Sequence, residues 1–153
     1  MVNVPPRAVA LGTALLGAVS LLTAVVLLPT IPENPPGTGF AAGLTGIFVL
    51  LYAVVGLLAL VEAGVLGLVT RLWEPAEWPR RLLMGGAAAG GLAVVLLVGP
   101  LLVSRLVATL LDRLVPVGNA LGIGLVLVPV GIGSTALGLA LHLAEHVHTR
   151  ART

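Results

Sequence analysis

A single acidic residue interrupts the longest apolar run in this chain. From Phe40 to Thr70 the only charged side chain is Glu62. An ionisable group at the centre of a membrane-crossing helix costs roughly 2.5–3.5 kcal/mol, and such groups mark ion pathways or pairing sites. Glu62 is therefore the candidate for binding and releasing a proton or cation, as a coupled transporter requires. No arginine lies inside another apolar stretch to pair with it. The competing reading is structural: a glutamate at headgroup depth, or one held by hydrogen bonds.

The second candidate is the string His142-Leu-Ala-Glu145-His146, followed by His148. On a helix, His142 and His146 share a face one turn apart with Glu145 beside them. Two imidazoles at that spacing can hold zinc, and the letters match the H-x-x-E-H pattern of zinc proteases. The competing reading is a polar, partly cationic helix end at a membrane rim, where positive charge also suits the helix dipole.

Other chemistry finds no residues to carry it. There is no cysteine, which excludes disulfides, thiolate nucleophiles and cysteine metal sites. Ser20, Ser104 and Ser134 have no histidine at a catalytic spacing. The glycine-rich segment from Gly85 to Gly91 lacks both a preceding strand and a Lys-Ser/Thr ending, so it is neither a dinucleotide fingerprint nor a phosphate loop. Aromatics are 3% of the chain, too few to line a cofactor pocket. No enzymatic activity and no cofactor is expected. The net charge of +2 comes from dispersed arginines without a basic run, which excludes nucleic acid as a partner.

The elements that must position these residues follow from hydropathy. Hydrophobic residues are 58% of the 153 and charged residues 9%, against about 25% charged in soluble domains. Four uncharged stretches, 8–28, 40–61, 82–103 and 120–141, each reach the length of about 20 residues that a helix needs to cross a bilayer. The expectation is an all-α, polytopic integral membrane protein, a single membrane domain over 1–153, with lipid as a partner of every helix. The first stretch is too long for a signal-peptide core and reads as a retained helix.

The second stretch has two placements. Either 40–61 spans and Glu62 sits at the headgroups with a short interfacial helix after it, which is the favoured reading, or the crossing extends to Thr70 with Arg71 and Trp73 at the interface. Four prolines between Pro29 and Pro36 predict an extended loop. Pro75 and Pro79 are expected to break helix in the Arg71–Arg81 turn. Residues 104–115 put Ser104, Arg105, Ala108, Thr109, Asp112 and Arg113 on one half of a helical wheel, predicting an interfacial amphipathic helix. Pro116 and Gly118 end it, and Asn119 caps the fourth helix, which Pro129 should kink.

Arginine counts set orientation. With four crossings, Arg7, Arg71, Arg80, Arg81, Arg150 and Arg152 share one side, and only Arg105 and Arg113 lie opposite. Both termini are expected in the cytoplasm and the chain in the cell membrane. Small residues predict the contacts, and the favoured reading of the glycines at 85–91 is that they pack their helix against its own neighbours, the competing one being a contact for another protein or a second copy. Gly86 and Gly90, and Ala87 and Gly91, are each four apart; Ala59, Ala63 and Gly67 and the pair Ser134 and Gly138 repeat that spacing. The leading functional expectation is a non-catalytic accessory subunit that associates with another membrane protein, or with itself as an oligomer, through these faces. The alternative is a small proton- or cation-coupled transporter using Glu62.

Overall fold

The computed structural model describes residues 5–31, 40–73, 75–111 and 118–150. They form four long helices: α1 Pro6–Leu27, α2 Phe40–Leu72, α3 Glu77–Leu111 and α4 Gly118–Arg150, with one 3-10 turn, Leu28–Thr30, after α1. All four are long and apolar enough to cross a membrane. At 1.5 Å per residue α1 extends about 33 Å and the other three about 50 Å. The all-helical architecture expected from hydropathy is what forms.

Their ends depart from expectation for identifiable reasons. α1 starts at Pro6 because Pro5 takes an extended conformation as its N-cap and Pro6 fits the first turn, where a missing N–H is harmless. Pro79 likewise lies in the first turn of α3, so it does not break the helix there. The residues after Glu62 continue α2 to Leu72 and make no helix of their own. Residues 104–111 prolong α3 across Ser104, and no separate amphipathic helix appears among the described residues; 112–115 and Pro116 lie outside them, as does the proline-rich loop from Pro32. α4 begins at Gly118, which puts Asn119 inside the first turn rather than at its cap, and continues across Pro129 past the histidines.

The bundle consists of two helical hairpins. α1 packs most extensively on α2 and α3 on α4; α3 also lies against α1 and α2, whereas α2 and α4 meet only locally. On α1 small side chains face the interior and large apolar ones the outside. The buried residues are Ala10, Thr13, Gly17, Ser20 and Ala24, alternately three and four apart, while Leu11, Leu15, Leu22, Val25 and Val26 point outward. Small residues inside and large apolar ones outside is the pattern of helices that meet by close backbone approach in hydrocarbon. Two apolar clusters fill the interior. One, including Tyr52, Val55, Val94 and Leu97, lies toward the α1–α2 loop. The other, including Ala10, Leu66, Val69 and Leu83, lies toward the arginine-bearing end.

Candidate functional site: a carboxyl between glycines

Between the two apolar clusters runs a thin polar layer to which all four helices contribute. α1 supplies Thr13, whose hydroxyl donates to the Ala87 carbonyl of α3 at 2.8 Å. α2 supplies Glu62, which is only 4% exposed. α3 and α4 supply the floor and wall around the carboxyl, Gly90 and Gly131. A methyl group on Gly90 would overlap Glu62 Oε2, and one on Gly131 would come within 2.8 Å of Oε1. The same methyl on Gly131 would meet Gly90 N at 3.2 Å and Gly86 O at 3.3 Å. The two backbones therefore touch, and the carboxyl occupies space that any larger residue would take.

Glu62 lies ten residues before Leu72, about 15 Å along the helix axis from the end of α2. Its Oε2 is buried without a hydrogen-bond partner, and so is the hydroxyl of Thr135. Thr135 is one turn beyond Gly131 on α4, and its Oγ1 sits where a methyl on Gly86 would be. A buried polar group left unpaired costs about 1–3 kcal/mol. Two of them in one layer make this the least satisfied part of the described interior.

Most of the small residues singled out in the sequence are engaged within the chain. Gly86 and Gly90 face α4 and Glu62; Ala87 and Gly91 face Thr13 of α1. Ala59 and Ala63 are buried, whereas Gly67 has open space beside it. Gly138 packs on Leu82 and Leu83. Gly86, Gly90 and Gly91 of α3 thus meet this protein's own helices. Sequence reasoning missed Gly131 and Thr135. The available signal was the seven-residue spacing of Gly124, Gly131 and Gly138, three buried positions on one face of α4.

The histidines form a different arrangement. His142 is buried and His146 exposed, with ring centroids 6.1 Å apart. Trp73, just past the end of α2, lies 5.7 Å from the His142 ring and 6.4 Å from that of His146. The two imidazoles close around an indole, and His148 is exposed. Glu145 is exposed on the same turn. Among the described residues no three His, Asp or Glu side chains come together as a metal-ligand group.

Compared with family models, with curated proteins and with solved structures, the chain matches none. Its site is read from geometry.

Proposed function

We infer that this is a small multi-pass membrane protein in which Glu62 takes up and releases a proton, coupling that step to transport across the bilayer. The observation that carries this reading is the buried, unpartnered Glu62 carboxyl seated on Gly90 and Gly131. A purely structural acid would be expected to have its oxygens satisfied, because in hydrocarbon there is no water to do it. A proton suits the cradle better than a hard cation. Hard metal ions take about six to eight oxygen ligands, and the open groups here are one carboxyl oxygen and one threonine hydroxyl. The apolar clusters on either side separate the carboxyl from both ends of the bundle, as a transporter with alternating access needs.

In this reading the arginine-bearing end, where α1 begins and α4 ends, faces the cytoplasm of the cell membrane. The reading as an accessory subunit would need a surface other than the buried glycines.

The test is proton movement. Purified protein is reconstituted in vesicles holding a pH-sensitive dye, and an external pH step is applied. Glu62→Gln should reduce proton entry to that of protein-free vesicles while inserting with the same helical content. A Glu62→Gln protein that moves protons as the unaltered one does would remove Glu62 from the mechanism.

A further inference from the structure

Two cavities meet at Trp73 and differ in character. The first is a cleft of about 470 Å³ at the arginine-bearing end, lined by Pro5, Arg7, Thr70, Trp73, Pro75 and Arg80. It joins the start of α1, the end of α2 and the start of α3. The second is a groove of about 340 Å³ between α2 and α4, where Val65, Leu68, Leu139 and Leu143 continue from Trp73 and His142 toward the bundle middle. Trp73 lines both.

The charged residues lining the first cleft are Arg7 and Arg80. Arg81 is paired with Glu77 one turn away. Arg7 and Arg80 are exposed, and neither makes an ion pair among the described residues. Thr70 directs its hydroxyl at the Leu66 carbonyl of its own helix, 2.7 Å away. The two guanidinium groups are therefore what an incoming ligand would meet, and guanidinium matches the oxygens of phosphate in a fork geometry. Tryptophan and arginine at a helix end belong at headgroup depth.

A free phosphate would use the cleft and leave the groove empty. A phospholipid uses both: its phosphate lies between Arg7 and Arg80, and one acyl chain passes Trp73 and runs down the α2–α4 groove. Two positive charges that form no ion pair among the described residues favour a lipid of net negative charge over a zwitterionic one. We propose that this paired cleft and groove is a binding site for an anionic phospholipid, held by Arg7 and Arg80 at its phosphate and by Trp73 and the α2–α4 groove along its chain. The site is separate from Glu62 and stands whether or not that residue carries protons.

Trp73 provides the readout, since the chain has only two tryptophans. With Trp78→Phe as background, the full chain is placed in bilayers of unlabelled phosphatidylcholine. A minor fraction of either phosphatidylglycerol or phosphatidylcholine, brominated on its acyl chains, is then added as quencher. Trp73 should be quenched at several-fold lower concentrations of the anionic lipid. Unlabelled phosphatidylglycerol should reverse the quenching, and inorganic phosphate at the same concentration should not. Arg7→Gln and Arg80→Gln should each reduce the preference roughly fivefold, the usual effect of one basic residue at an anionic surface. Equal quenching by the two lipids would overturn the proposal, as would a preference that survives both substitutions together. Reversal by inorganic phosphate would overturn the lipid assignment in favour of a free phosphate. The competition arms need no arginine substitution, so they decide the matter even if the double variant fails to fold.

Discussion

Two glycine-to-glycine crossings hold this bundle, and they treat polar groups in opposite ways. In the α1–α2 hairpin Gly17 and Gly56 face each other so closely that a methyl on either would lie 2.8 Å from the other's carbonyl oxygen. The neighbouring Ser20 is fully buried and donates to the Tyr52 carbonyl at 2.7 Å. In the α3–α4 hairpin Gly86, Gly90 and Gly131 approach as closely, yet what lies against them is the carboxyl of Glu62 and the hydroxyl of Thr135, both with open hydrogen-bonding atoms. The same packing device serves adhesion in one hairpin and encloses an unsatisfied carboxyl in the other. Close approach of backbones is therefore not itself the mark of a site; an unsatisfied group enclosed by it is.

Substitutions separate the two crossings, beginning with the largest effect. Gly56→Ala should be the most damaging, because its methyl meets the backbone of Gly17 and Leu21, and α1 has to move as a body. A loss of about 1–3 kcal/mol is expected, as for overpacking elsewhere, read as lowered resistance to unfolding in mixed detergent. Glu62→Met should act with the opposite sign. It removes a costly polar group while keeping a similar volume, so stability should rise by about 1–3 kcal/mol while proton movement disappears. Loss of stability in that variant would mean that the carboxyl is structural.

Gly90→Ala sharpens the contrast further. The group its methyl meets is the far end of the Glu62 side chain rather than a backbone. Its cost should be smaller than that of Gly56→Ala, about 1 kcal/mol at the low end of overpacking, and it should vanish when Glu62→Ala is present as well. A double-mutant cycle measures this, and additive effects would place the carboxyl elsewhere. The smallest change is Ser20→Ala. Interhelical hydrogen bonds in membranes average about 0.6 kcal/mol, so a loss of that order in the same unfolding assay is expected, with proton movement untouched. A large loss of proton movement there would erase the distinction between the two hairpins.

The helices were legible in long uncharged runs: 82–103 and 120–141 lie inside α3 and α4, and 8–28 ends one residue past α1, in the 3-10 turn. Their ends were less so. Pro79 reads as a breaker until it is known to sit in a first turn, and the leucines and valines beyond Ser104 support an α3 extension as readily as a surface helix. Glu62 stood out as the only charge in its run, but its neighbours did not. Gly122 and Gly133 of α4 are exposed while Gly131 is buried, and nothing in their letters tells them apart before α3 is placed against them. A lone threonine such as Thr135 carries no signal in sequence at all. The glycines of α3 stood out by their spacing, and Gly86 packs on this chain's own α4.

The central claim is that the Glu62 carboxyl gains and loses a proton inside the folded bundle. Infrared difference spectroscopy across a pH titration in lipid tests it directly, since a protonated carboxylic acid in an apolar site has a carbonyl stretch apart from those of the backbone and of carboxylates. The account predicts a carboxylic-acid band that changes with pH in the unaltered protein and is absent from Glu62→Gln. The same band persisting in Glu62→Gln, or no such band in the unaltered protein, would contradict it.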